Sequence, residues 1–301
     1  MNPPRLPPSR PSPPTRFSLI LAGGLARGAA HLGVWRALSE AQLVPERVVG
    51  VSIGAIIGGW FCKEGGTAAA LAHLSNLART MHGDLSAKGK HLLDAWRLIS
   101  YDERRRFIED MLELKGVTFN QLRLPLYVAA TRLVPPGRVV FGDHPTESVA
   151  EAILASTAVP THPPVRVGNA YYLDGGLSGN LPVSEAVKRG GRVIVAVNLG
   201  PPLRRGQGKV GEVVWRVCRD MYRLSSLREI ECSEAQGATV VHVTSAEIES
   251  HGVFAFEALD MIEEEGYKAT QCALPALQQA LGRRGDEVPS SSELGGGTGA
   301  A

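Results

Sequence analysis

Two short apolar runs constrain this chain more than any other feature. Each ends in glycine and is followed at once by helical spacing. The first is FSLILAGG, residues 17–24, and the second is VVGVSIG, residues 48–54. A continuous apolar run of this length, closed by glycine, reads as a strand buried on both faces. After the first run, Leu32, Trp35, Leu38 and Leu43 share one helical face, and Pro45 ends the segment. After the second, an apolar helix from Ile53 to Lys63 stops at Gly65-Gly66. Strand–helix–strand–helix predicts a parallel sheet with right-handed crossovers.

The alternation breaks over 67–115. There ALAHLSNLARTM, HLLDAWRLIS and DERRRFIEDMLEL read as helices with no strand between them, either a plain helical layer or a cover over a site. Strands are expected again at Leu126–Thr131, Arg138–Phe141, Tyr171–Leu173, Arg192–Asn198 and Thr239–Val243. Helices are expected at 148–156, 183–189, 211–235 and onward to about Leu281. Nothing in 16–283 repeats or shifts in composition, so that span is expected to be one α/β domain. It is flanked by an extended tail at 1–15, with seven of the 20 prolines, and a Ser/Gly-rich tail at 284–301. The N-terminal stretch has no apolar core and reads as neither signal peptide nor membrane span, so a cytoplasmic location is expected. The longest uncharged run, Val48 to Cys62, falls short of the roughly 20 residues a bilayer requires. A net charge of +2 gives no push toward nucleic acid. Cys62, Cys218, Cys232 and Cys272 form no C-x-x-C pair and are expected to be buried free thiols.

Gly50-Val51-Ser52-Ile53-Gly54 is a G-x-S-x-G motif between a strand and a helix, the setting a nucleophile elbow requires. Its glycines suit a tight turn where strand and helix pack closely. The N-terminal amides of the following helix would favour negative charge near Ser52. The plain alternative is a glycine-rich turn without chemistry. Gly23-Gly24-Leu25-Ala26-Arg27-Gly28 is a second such junction, with amides suited to an oxyanion or a phosphate. It lacks the spacing of a dinucleotide fingerprint and the lysine of a Walker loop. Arg27 could meet an anion or cap the loop onto a carboxylate. Asp174-Gly175-Gly176 follows a third strand and on its own reads as turn chemistry. It gains meaning as a base for Ser52, because a serine nucleophile needs one within hydrogen-bond reach. Of the eight histidines, only His251, before Gly252, reads as sitting in a glycine-flanked loop next to a strand end, and His31 falls inside the first helix.

Taken together, LILAGGLARGAAHLGVWRAL, VVGVSIGAIIGG, ASTAVPTHPPV, YYLDGGLSGNLPVSEA and RVIVAVNLG resemble the patatin-like phospholipases. The likeness is greatest to small bacterial members related to the catalytic domain of neuropathy target esterase, and it spans Phe17 to about Leu281. The resemblance implies a three-layer α/β/α sandwich with a mostly parallel central sheet. It also implies a serine–aspartate dyad without histidine, metal or cofactor. By position it makes Ser52 the nucleophile, Asp174 the base, and Gly23, Gly24, Leu25, Arg27 and Gly28 the oxyanion loop. Asn180 and Pro182 match the segment after Asp-Gly-Gly. The implied substrate is a lipid acyl ester, met through peripheral contact with a membrane. Two departures stand out. Leu25 occupies a position usually held by glycine, where a leucine resists positive φ. Arg132 follows Thr131 where relatives often carry aspartate. Arg104-Arg105-Arg106 reads either as a solvated helix face or as a contact for anionic headgroups. Two other readings stand beside the dyad: an α/β-hydrolase triad of Ser52, Asp174 and His242 or His251, and a pseudoenzyme that keeps the fold to bind lipid.

Overall fold

In the computed structural model, which describes residues 16–65, 100–160, 162–201 and 208–285, the two glycine-ended runs become neighbouring strands. The chain opens with β1 (Ser18–Leu21), α1 (Ala29–Glu40), β2 (Arg47–Val51) and α2 (Ile53–Glu64). After α3 (Tyr101–Arg106) come β3 (Leu126–Arg132), β4 (Gly137–Phe141), α4 (Val149–Ser156), β5 (Val165–Val167) and β6 (Ala170–Leu173). Then follow α5 (Gly176–Gly179), α6 (Val183–Lys188), β7 (Val193–Val197), α7 (Gly208–Ala235), β8 (Thr239–Val243), α8 (Ala246–Ser250) and α9 (Leu259–Gly285).

The strands form one sheet in the order β5-β6-β3-β2-β1-β7-β8, with β4 also on β3. Strands β3, β2, β1, β7 and β8 are parallel, and β4, β5 and β6 are antiparallel additions. The connections through α1 and α2 step across the sheet in one direction, and the connection through α7 steps in the other. Right-handed crossovers therefore put α1 and α2 on one face and α7 on the opposite face. Packing agrees: α2 lies on β2 with α4 beside it, α9 runs along α1, and α6 packs against β1, β7 and α7. The expected three-layer α/β/α sandwich with a mostly parallel sheet is what forms. Its centre is dry, since Leu19, Ile20, Val48, Val49, Val128 and Ala196 are fully buried.

The register of β3 brings two distant turns together. Its residues 128–132 pair with β4 along one edge. On the opposite edge, residues 126–129 pair with β2, and Thr131 and Arg132 pair with β6. Strands β2 and β6 thus share an edge and run toward each other. Val51, the last residue of β2, lies opposite Ala129, while Leu173, the last of β6, lies opposite Thr131. The next residues along the chain, Ser52 and Asp174, leave the sheet from the same gap.

Four expectations need correcting. Strand β5 was not foreseen, although Gly168-Asn169 between two β-rich runs is a hairpin signal; Gly168 takes φ 57° there. The first helix begins only at Ala29, because a 3₁₀ turn occupies Leu25–Gly28. Cys62 is buried, but Cys232 and Cys272 are exposed free thiols, carried on outward faces of α7 and α9. Arg104 turns inward and is 4% exposed, whereas Arg105 and Arg106 keep to the solvated face. The helices expected across 67–99, the tail at 1–15 and the tail from 286 lie outside the described residues, as does the side chain of Cys218.

Candidate active site

Ser52 occupies a sharp turn between β2 and α2, with φ 53° and ψ −121°. A side chain rarely adopts positive φ, and such a conformation survives only where its surroundings enforce it. The flanking glycines are part of that enforcement. A Cβ on Gly54 would lie 2.1 Å from the Leu21 carbonyl oxygen, and one on Gly50 would lie 2.6 Å from the Gly54 carbonyl oxygen. The turn is also bonded from beneath, where the Ser52 amide donates to the Ser156 hydroxyl at 2.8 Å. Ser52 precedes the first turn of α2 without capping it by its side chain, so its hydroxyl is not spent on the helix.

Asp174 lies at the end of β6 and is 8% exposed. Its backbone is pinned on both sides: its amide donates to the Ala158 carbonyl at 2.8 Å, and its carbonyl accepts from the Thr131 hydroxyl at 2.8 Å. Oδ1 accepts from the Gly176 amide at 2.8 Å. Oδ2 is buried and has no hydrogen-bond partner among the described residues. The carboxyl pKa is pushed up to about 6, because burial disfavours the charge more than the Ser52 hydroxyl and the Gly176 amide favour it. The Ser52 side chain is therefore close enough to act on this carboxylate. Hydrogen bonds of this kind often tighten only when substrate is bound.

The Gly23–Gly28 loop is held by two devices. Asn180 bonds both backbone polar groups of Gly23, its Oδ1 accepting from the Gly23 amide at 3.0 Å and its Nδ2 donating to the Gly23 carbonyl at 2.9 Å. Nδ2 also donates to the Tyr222 hydroxyl on α7. Arg27 is the second device. It is 5% exposed, and its guanidinium donates to the carbonyls of Leu199, Pro201, Glu249 and His251. An anion-binding role for Arg27 is thus corrected: every nitrogen of the group is committed to backbone carbonyls of the neighbouring loops. The Gly23 amide is likewise committed, so it is not a free oxyanion donor. Ala26 donates to Val253 and Arg27 to Gly24, which leaves the amides of Gly24 and Leu25 without a partner among the described residues. Leu25 holds φ 52°, so the leucine takes the glycine-like conformation it was expected to resist. Gly28 sits where a Cβ would meet Ile53 Cγ1 at 2.3 Å, which lets this loop abut the elbow.

The histidines stand apart from this chemistry. His31 binds the Ala22 carbonyl through Nε2 at 2.8 Å, and burial lowers its pKa to about 4, which keeps it neutral. His242 responds to burial and to Glu249. His251 offers its backbone carbonyl to Arg27. None of them is among the groups that act on the Asp174 carboxylate. Ser156 and Tyr222 are the site residues that sequence reasoning missed. A hydroxyl in an otherwise apolar helix end, ILAS, was the only signal for the first.

A family model described as patatin-like phospholipase matches residues 19–187, more than half of the chain. The chain belongs to the patatin-like phospholipase family. Among curated proteins, it is 27% identical over 276 residues to lysophospholipase NTE1 of Mycosarcoma maydis, covering 84% of this chain and 14% of that protein. It is 29% identical over 285 residues to lysophospholipase nte1 of Neurospora crassa, covering 87% of this chain and 18% of that protein. The chain thus spans less than a fifth of the length of these relatives. Among solved structures, VipD from Legionella pneumophila matches at 15% identity and a TM-score of 0.47, over 88% of this chain and 68% of that one. That likeness is too loose to build on.

Proposed function

We propose that this patatin-family chain is a serine acyl hydrolase acting on fatty-acyl esters of lipids, with Ser52 as nucleophile and Asp174 as base. The observation that carries the reading is the buried Asp174 carboxylate beside Ser52, one oxygen held by Gly176 and the pKa near 6. A carboxylate is a poor base for a hydroxyl in water. Raising its pKa in a dry site narrows the mismatch and leaves it ionised at neutral pH. In this scheme Asp174 takes the Ser52 proton as Oγ attacks the acyl carbonyl. The amides of Gly24 and Leu25 hold the oxyanion, helped by the N-terminal end of α2. The proton passes to the departing alcohol, and water, activated by the same Asp174, releases the fatty acid.

The NTE1 relatives are named as lysophospholipases, and that makes a lysophospholipid the first substrate to try. Among the described residues no helix is long and apolar enough to cross a membrane, which fits a protein that meets lipid from one side. The decisive assay is fatty-acid release from a lysophospholipid and from a short-chain p-nitrophenyl ester. Wild-type turnover should fall by about 10⁴-fold or more in Ser52→Ala. Equal turnover by the two proteins would reject the reading.

A weak-enzyme reading rests on Leu25. Its conformation argues against it: the leucine has already entered the left-handed region, so the strain burdens the fold while the amide stays presented.

A further inference from the structure

The reading of Ser52 as nucleophile leaves open what holds it in its strained turn. We infer that Ser156 is the positioning residue for Ser52, acting through its side-chain hydroxyl.

Ser156 is the last residue of α4 and is fully buried. Its hydroxyl donates to the Ala129 carbonyl at 2.7 Å and accepts the Ser52 amide at 2.8 Å. The polarity is unambiguous: a carbonyl cannot donate, so the hydroxyl proton goes to Ala129 and a lone pair faces Ser52. Ala129 is the residue opposite Val51 in the β2–β3 ladder. Where β2 peels away into the elbow, the next rung of that ladder is the Ser156 hydroxyl. It bridges the amide and the carbonyl across the gap that the turn opens.

The same turn of chain also holds the base. The Ser156 carbonyl accepts the Gly175 amide at 3.2 Å, and the Ala158 carbonyl accepts the Asp174 amide at 2.8 Å. Ser156 and Ala158 therefore fix both halves of the dyad relative to β3. Of these contacts to the dyad only the one to Ser52 is made by a side chain, so it is the one that substitution removes, together with the hydroxyl's bond to Ala129. Truncating the hydroxyl leaves the Ser52 amide and the Ala129 carbonyl unpaired in a buried position, and the Ser52 side chain makes no helix cap bond.

This inference rests on Ser52 being the nucleophile, and the two fail differently. The experiment compares wild type, Ser156→Ala, Ser156→Cys and Thr157→Val on a soluble p-nitrophenyl ester, with active sites counted by fluorophosphonate titration. Thr157 is the control, because its hydroxyl bonds the Ile153 carbonyl in the same helix end and does not touch Ser52. In Ser156→Ala, kcat per titrated site should fall by about 10²-fold with KM changed by less than about twofold. Cysteine keeps the shape, is somewhat larger and bonds weakly, so Ser156→Cys should fall between. Thr157→Val should lower thermal stability at most and keep kcat. The midpoint of the pH–rate profile should move upward in Ser156→Ala, because a displaced Ser52 hydroxyl no longer favours the charged Asp174 carboxylate. The inference is overturned if Ser156→Ala keeps kcat within about threefold, or if Thr157→Val loses as much. If Ser156→Ala does not fold, the Ser156→Cys and Thr157→Val pair decides alone. A Ser52-dependent wild type with a fully active Ser156→Cys would reject the positioning role and leave the dyad standing.

Discussion

Two strand-to-helix junctions meet at this site, and each holds one side chain at positive φ. Ser52 has φ 53° and Leu25 has φ 52°. Their surroundings differ. At Ser52 the turn is enforced by direct contact: glycines at 50 and 54 against backbone oxygens, and the Ser156 hydroxyl on its amide. At Leu25 no side chain among the described residues bonds the residue itself. The loop is held on either side, by Asn180 on Gly23 and by Arg27 on four carbonyls, and Leu25 follows. One junction fixes the orientation of a side chain. The other fixes the path of a backbone and leaves amides free. That is the division of labour expected of a nucleophile and an oxyanion loop.

The largest effect that would sharpen the comparison is at Asn180. Asn180→Ala removes the bonds to both the amide and the carbonyl of Gly23 and should cut kcat by about 10²-fold, through misplaced amides at Gly24 and Leu25. A kcat within threefold of wild type would mean that Arg27 alone holds the loop. An intermediate effect is expected in stability at Asp174. Its folded pKa of about 6 lies above the ordinary carboxylate value of 3.8, so the folded state prefers the neutral acid. Stability from this group is therefore full below pH 4 and is lost as pH rises through 6. Asp174→Asn should stabilise the protein at pH 8, by at most about 3 kcal/mol for a shift of roughly two units, and bring no gain at pH 4. Denaturant melts at the two pH values check it; a variant less stable at pH 8 would contradict the sign. The smallest effect is at Leu25. Leu25→Gly relieves a strain of about 1 kcal/mol but loosens the unfolded chain by nearly as much. Its melting temperature should move little, and kcat should rise no more than a few-fold.

Much of this was legible in the sequence because it depends on short range. Glycine at 50 and 54 announces a close approach, and an apolar run between turn residues announces a buried strand. Ser52 could be named because it sits between a strand and a helix, whereas Asp174 on its own read as turn chemistry and took its role from the family resemblance. The parts that escaped depend on pairing across long separations. Ser156 lies 104 residues from Ser52, and Asn180 lies 157 from Gly23. No periodicity marks a partner at that distance. The partners of Arg27 escaped for the same reason: a cation in a glycine loop suggests an anion or a carboxylate to cap onto, and only the folded chain brings four carbonyls around it. Leu25 shows the opposite limit. Propensity correctly gave the cost of a leucine in a glycine conformation, and the tertiary structure imposes it regardless.

The most direct test of the dyad is the rate of fluorophosphonate labelling as a function of pH, for wild type beside Ser52→Ala and Asp174→Asn. The account predicts labelling of wild type that rises as pH passes through about 6, no labelling of Ser52→Ala, and labelling of folded Asp174→Asn slowed by at least about 10²-fold above pH 6 with no such rise. Labelling that persists in Ser52→Ala, or runs at the wild-type rate in Asp174→Asn, would contradict it.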